Sequence, residues 1–148
     1  MNDNKTRVDP VEYSLRTSWQ SIRMMYHEEA IKYGVTYAIG FALLSIDPKT
    51  GTPSTSIGPI MGLEANSLSR LLKTMEINKF IYRKPNPHDG RGVIILLTKK
   101  GLKKRDITKN KVIKFNRLIK NNITKKDLTV FLKTTNTIKN LISENTVF

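Results

Sequence analysis

The chain has 148 residues, 26 Lys and Arg against 12 Asp and Glu, no cysteine and two histidines, for a formal charge of +14. That length predicts one domain with a real core; the missing cysteines exclude disulfides, thiol redox sensing and thiolate metal sites, and two histidines far apart in sequence argue against zinc. The charge favours a polyanionic partner, yet a lysine-rich surface also serves plain solubility, so charge alone does not decide the partner.

No apolar run reaches the length of a membrane span. The polar stretch Met1–Asp9 reads as a loose tail unlike a secretory signal, which points to the cytoplasm. A first helix is expected from Pro10 or Val11 through Lys32, with Asp9 as its cap and Gly34 just past its end. Leu15, Trp19, Ile22, Tyr26, Ala30 and Tyr33 repeat on it at helical spacing. The stripe reads as core and dimer contact. The alternative is a small-molecule pocket walled by Trp19 and Tyr26 with Tyr37 and Phe41 of the next helix; His27 beside them reads as a surface histidine.

Thr36 caps a second helix, Tyr37 to Ile46, apolar nearly all round and therefore buried. Asp47 to Gly51 is a turn. Thr52 to Thr55 suits a short strand, with Pro53 tolerated at an edge. The Gly58-Pro59 pair predicts a short helix that starts late, around Pro59 to Gly62, because proline is harmless only in a first turn.

The stretch from Gly62 to Glu76 has a helical period: Leu68, Leu71, Leu72 and Met75 make one apolar stripe. Ser67, Arg70 and Thr74 share another face, with Asn66, Ser69 and Lys73 beside it. Short polar and long basic side chains on one helix face suit a major groove, where such groups meet base edges and phosphates. Phe80 to Lys84 and Gly92 to Leu97 read as the two strands of a hairpin. Pro85 to Gly90 forms its turn, and Arg91 lies just past the tip.

Thr98 caps a long basic helix, whose lysine run reads as a solvated face with only the first turns near a polyanion. Asn121-Asn122 breaks it. Thr124 to Asp127 resembles a capping box with Asp for Glu. It opens a last helix striped by Leu128, Phe131, Leu132, Thr135, Ile138 and Ile142, and fraying is expected after Ser143. There is no repeat, no P-loop, no GxSxG and no recognisable carboxylate pair, so the chain is read as non-enzymatic and free of cofactors.

One ordered set of residues carries a resemblance: Gly62-Leu63, Asn66-Ser67-Leu68-Ser69-Arg70, Leu72, Met75-Glu76, Ile81, Arg83, Asp89-Gly90-Arg91 and Leu97-Thr98-Lys99-Lys100-Gly101. Each piece is weak alone; together, in order over about forty residues, they resemble the MarR family of bacterial transcription regulators. The sequence departs from that pattern at Gly58-Pro59 and at Gly90, where the family often has a second Arg.

The resemblance implies a mainly α fold with a small β-hairpin wing. A winged helix-turn-helix lobe over about residues 36–100 would be flanked by dimerisation helices over about 10–33 and 101–145. It further implies a homodimer on a pseudo-palindromic operator, acting as a repressor on the nucleoid and released by a small aromatic or acyl effector. By the same carry-over, Asn66, Ser67, Ser69, Arg70, Lys73, Arg83, Asp89 and Arg91 form the DNA surface. Arg91 would enter the minor groove while Asp89 orients a basic side chain of the wing. Two readings from other classes stay open: a non-specific basic or architectural nucleic-acid binder, and a winged helix used for protein contacts alone.

Overall fold

The computed structural model describes residues 10–144. The tail expected over Met1–Asp9, the Asp9 cap and the last four residues lie outside them. The chain forms two compact units, up to Thr108 and from Lys109 onward.

In the first unit, α1 runs Pro10–Ile31 and α2 Tyr37–Leu44, ending just before the expected Lys32 and Ile46. The Thr36 hydroxyl accepts the Ile39 N–H at 3.2 Å, the expected N-cap. Burial of α2 is nearly complete: Ala42, Leu43 and the following Ile46 are fully inaccessible. Their neighbours in the core are Ile57, Leu68, Leu72, Met75, Phe80, Ile81, Ile95 and Leu97, so α2 is the post against which the other elements pack.

The α1 stripe divides. Tyr26 is buried, whereas Leu15 and Trp19 stay 38% and 51% exposed. Ile22, Ala30 and Tyr33 are half-buried and Ala30 packs on the core, so it is the N-terminal part of the row, at Leu15 and Trp19, that its own unit leaves largely uncovered.

The strand expected over Thr52–Thr55 shrinks to β1, Thr52–Pro53, on the edge of a three-stranded sheet. Ser54 and Thr55 instead open α3, Ser54–Met61, so Pro59 sits near the end of this helix and not in its first turn. The expectation of a late start was wrong for a local reason. Proline at position 59 deprives only the Thr55 carbonyl of a partner, and Thr55 is exposed, where water can serve it. Gly58 is needed as a small residue: a Cβ there would lie 3.1 Å from the Leu63 carbonyl and 3.4 Å from Leu68. Gly62 ends α3 at φ 63°, and the Leu63 N–H bonds back to the Gly58 carbonyl at 2.9 Å.

That tight turn delivers the chain into α4, Ala65–Ile77. The hairpin follows as β2, Ile81–Asn86, and β3, Asp89–Leu97, antiparallel with β3 in the middle of the sheet. α5 spans Lys99–Asn122 and crosses the boundary between the units. Thr98 caps it by accepting the Gly101 N–H at 3.0 Å.

In the second unit, α6 runs Lys125–Ser143. Thr124 accepts the Asp127 N–H at 3.1 Å and donates its own hydroxyl to the Asp127 carboxylate at 2.7 Å, so Asp127 bonds the cap's hydroxyl where the Glu of a capping box takes its backbone N–H. No described residue of α6 is buried, and Phe131, Leu132 and Ile142 are each more than half exposed.

Candidate nucleic-acid interface

α4 is held by its apolar side. Leu68 is 9% exposed, Leu72 2% and Met75 not at all, as the i, i+4, i+7 spacing requires. Asn66, Ser67, Ser69, Arg70, Lys73 and Thr74 are all exposed. Arg70 sits centrally, three residues from Ser67 and from Lys73, so a row of two hydroxyl or amide groups and two cations faces outward. The Thr74 hydroxyl donates to the Arg70 carbonyl at 3.0 Å, which ties that side chain to its own helix.

The C-terminus of α4 is closed from two directions. Lys79 takes the left-handed conformation at φ 59°, and the Phe80 N–H returns to the Met75 carbonyl at 2.9 Å. From the other side comes the start of α5. Thr98 donates to the Lys79 carbonyl at 2.6 Å, and Lys100 donates to the Asn78 carbonyl at 3.0 Å while lying 5.0 Å over the Phe80 ring. A cation on orphan carbonyls at a helix C-terminus is favourable. The lysine run of α5 is therefore not simply solvated: Lys100 closes α4, and Lys104 donates to the Tyr33 carbonyl just after α1.

The wing differs from expectation at its tip. The turn is only Pro87-His88, and both strands run out to it. Pro85 pairs with Val93 but Asn86 pairs with Asp89, so Gly90, Arg91 and Gly92 have no residue opposite them. Arg91 thus occupies the centre of a bulge in β3 and not a loop beyond the strand. A bulge bends the strand and re-aims its side chains. Asp89 accepts the backbone N–H of Arg91 at 3.1 Å, shaping the bulge; its described bond is to this main-chain group and not to a basic side chain, as the resemblance had implied. Arg83 was also expected on DNA, yet its Nε is bonded to Glu76 of α4 at 3.1 Å.

No protein-family model and no curated protein matches the sequence. Solved structures do. The S. aureus MepR–DNA complex aligns with a TM-score of 0.78, 18% identity, over 90% of this chain and 99% of that one. For the transcriptional regulator SlyA the values are 0.81, 14%, 93% and 96%. MarR from Oenococcus oeni PSU-1 gives 0.76, 22%, 90% and 98%. The chain has the MarR-type winged-helix fold.

Within the MarR-type fold, α3, the Gly62 turn and α4 make the helix-turn-helix, and β2 and β3 make the wing. The six residues that the sequence puts on the outer faces of α4, from Asn66 to Thr74, are all exposed, and so are Ala65, Glu76 and Ile77, for which it gave no place. Sequence reasoning missed the roles of Lys100 and Lys79, and the partnership of Glu76 with Arg83. The signal for Lys100 was faint: a lysine two residues after a cap, seen only once α5 and α4 meet. For the pair, both residues stood in the motif set but seven apart, across a helix end and a turn.

A second feature lies between α1 and α2. Trp19, Tyr37, Phe41 and Tyr26 form a continuous chain of rings, with centroids 6.1, 4.7 and 5.4 Å apart in that order. Beside it is a groove of about 360 Å³, lined on α1 by Arg23, Met24, His27 and Glu28 and on the other side by Thr36, Tyr37 and Ala38. Of the four aromatics expected to wall a pocket, Tyr37 alone lines this groove; Trp19 packs on Tyr37, and Tyr26 and Phe41 pack on each other. Burial pushes both the Tyr26 and the Tyr37 hydroxyls above their ordinary pKa, so both are neutral near pH 7.

Proposed function

We propose that this chain is a sequence-specific DNA-binding transcription regulator, acting in the cytoplasm on the nucleoid as a homodimer at a pseudo-palindromic operator, and without enzymatic activity. The observation that carries this reading is the outward row Asn66, Ser67, Arg70 and Lys73 on a helix anchored by Leu68, Leu72 and Met75, with the Arg91 bulge on the hairpin that follows. A rigid polar helix face suits a major groove, and an exposed arginine on a hairpin suits a narrow minor groove. S. aureus MepR has this fold in a complex with DNA.

Selection of binding sites from a random duplex pool tests the reading. The expected product is two half-sites about 34 Å apart, bound with steep salt dependence. Arg91→Ala should weaken binding without unfolding the protein. Arg70→Ala should cost roughly 1–3 kcal/mol on the selected site alone if it reads a base, and act evenly on all sequences if it holds phosphate. Binding without sequence preference would favour the architectural alternative; absence of salt-dependent binding would favour a protein-contact role.

The groove beside Tyr37 supports a second, regulatory element: a small amphipathic effector, an aromatic acid or acyl compound, with Arg23 and His27 near its anionic end. Such a ligand releases DNA only by preferring the released state. Aromatic acids and acyl-CoA compounds should displace DNA, whereas peroxide should not act in a manner reversed by thiols, since there is no cysteine.

A further inference from the structure

Glu76 lies in the last turn of α4, and Arg83 is the third residue of β2, across the left-handed turn at Lys79. Their bond, Arg83 Nε to Glu76 Oε2 at 3.1 Å, joins the helix to the hairpin directly. The other ion pairs described, Arg16 with Glu12 and Lys32 with Glu29, are local to α1 and its end. Ile81 at the base of β2 is buried, but Tyr82, Arg83, Lys84 and Pro85 are all exposed. Beyond Ile81, therefore, β2 reaches the core only through its pairing with β3, whose Ile95 is buried opposite Arg83 and whose Val93 packs on the core, while the bulge with Arg91 lies farther out on the same hairpin.

We propose that Glu76 and Arg83 form a strut that sets the angle between the recognition helix and the wing, which makes Arg83 a positioning residue and not a DNA ligand. This rests on the DNA-binding reading only in its consequence. If α4 and Arg91 must meet two grooves of one duplex together, a wing held in place beforehand loses less conformational freedom on binding. With side chains 38% and 42% exposed, the pair adds little to global stability, so its removal leaves a folded protein in which the wing can be read.

The two roles for Arg83 predict opposite behaviour. As a strut, Arg83→Gln weakens binding to the selected duplex by roughly 2- to 5-fold per half-site, and the double variant Glu76→Arg/Arg83→Glu, which keeps the net charge, restores it. As a phosphate ligand, Arg83 would be freed by Glu76→Gln, giving tighter binding and a steeper salt dependence, and the double variant would bind no better than Arg83→Glu alone.

A second measurement needs no DNA. The chain has no cysteine, so the substitutions Ile60→Cys on α3 and His88→Cys at the wing tip provide the sole sites for spin labels. The distance distribution between them, in protein diluted with unlabelled chain, should broaden in Glu76→Gln and in Arg83→Gln and narrow again in the double variant. Unchanged widths, or tighter binding by Glu76→Gln, overturn the strut. If the wild-type chain binds no DNA while the single variants show the broadening and the double variant its rescue, the regulator reading is overturned and the strut stands.

Discussion

Lys79 is the residue whose conformation its own chemistry least favours. Positive φ brings Cβ against the following carbonyl, at a cost of about 1–2 kcal/mol for a non-glycine residue. Three bonds outweigh that cost: the Lys79 and Phe80 N–H groups close α4, and Thr98 donates to the Lys79 carbonyl. Its neighbour Asn78 is of a type that tolerates this region more readily, yet it is Lys79 that adopts it. Lys79→Gly should therefore raise stability by about 0.5–1 kcal/mol, the relief of strain less the extra entropy of glycine in the unfolded chain. Denaturant titration with an unchanged slope would record it. A lower midpoint would mean that the lysine side chain makes a contribution of its own.

At the scale of elements, the stretch Leu97-Thr98-Lys99-Lys100-Gly101 explains itself physically. Leu97 is the last buried residue of the sheet, Thr98 caps α5, Lys100 closes α4, and Gly101 lets α5 touch the backbone of Phe80. A Cβ on Gly101 would stand 1.9 Å from the Phe80 carbonyl oxygen, a backbone atom that cannot rotate away. Gly101→Ala should destabilise the first unit by about 3 kcal/mol, at the upper end for overpacking, by prising α5 from the end of α4. A loss within 0.5 kcal/mol of zero would show that this junction yields. The same scale holds the main error of sequence reasoning. Gly58-Pro59 was read as a helix start because proline was weighed by its cost to an ideal helix. Its actual cost falls on one exposed carbonyl near the helix end.

For the whole molecule, the unexplained quantity is apolar surface. Trp19 on α1 and Phe131, Leu132 and Ile142 on α6 are each more than half exposed, on helices whose spacing is otherwise that of core-facing stripes. A second copy of the chain is the expected cover. Sedimentation equilibrium should give a dimer at micromolar concentration, and Leu132→Glu should shift it toward monomer while the first unit keeps its thermal transition. A stable monomer that fills a complete operator would remove the dimeric architecture.

Periodicity and end chemistry were enough to place α1, α2, α4, α5 and α6 to within a turn, because helix caps and apolar stripes are local properties that Thr36, Thr98 and Thr124 write directly into the chain. The exposed face of α4 followed from its buried one. The bulge at Arg91, the Glu76–Arg83 bond, the seat of Lys100 on Asn78 and the packing of Tyr26 against Phe41 were not legible. Each depends on where two segments meet, and that is set by a core built from residues as distant as Leu43, Ile57, Met75 and Ile95. Local sequence selects which elements form; the burial of their apolar faces against one another selects which polar groups end within hydrogen-bonding distance.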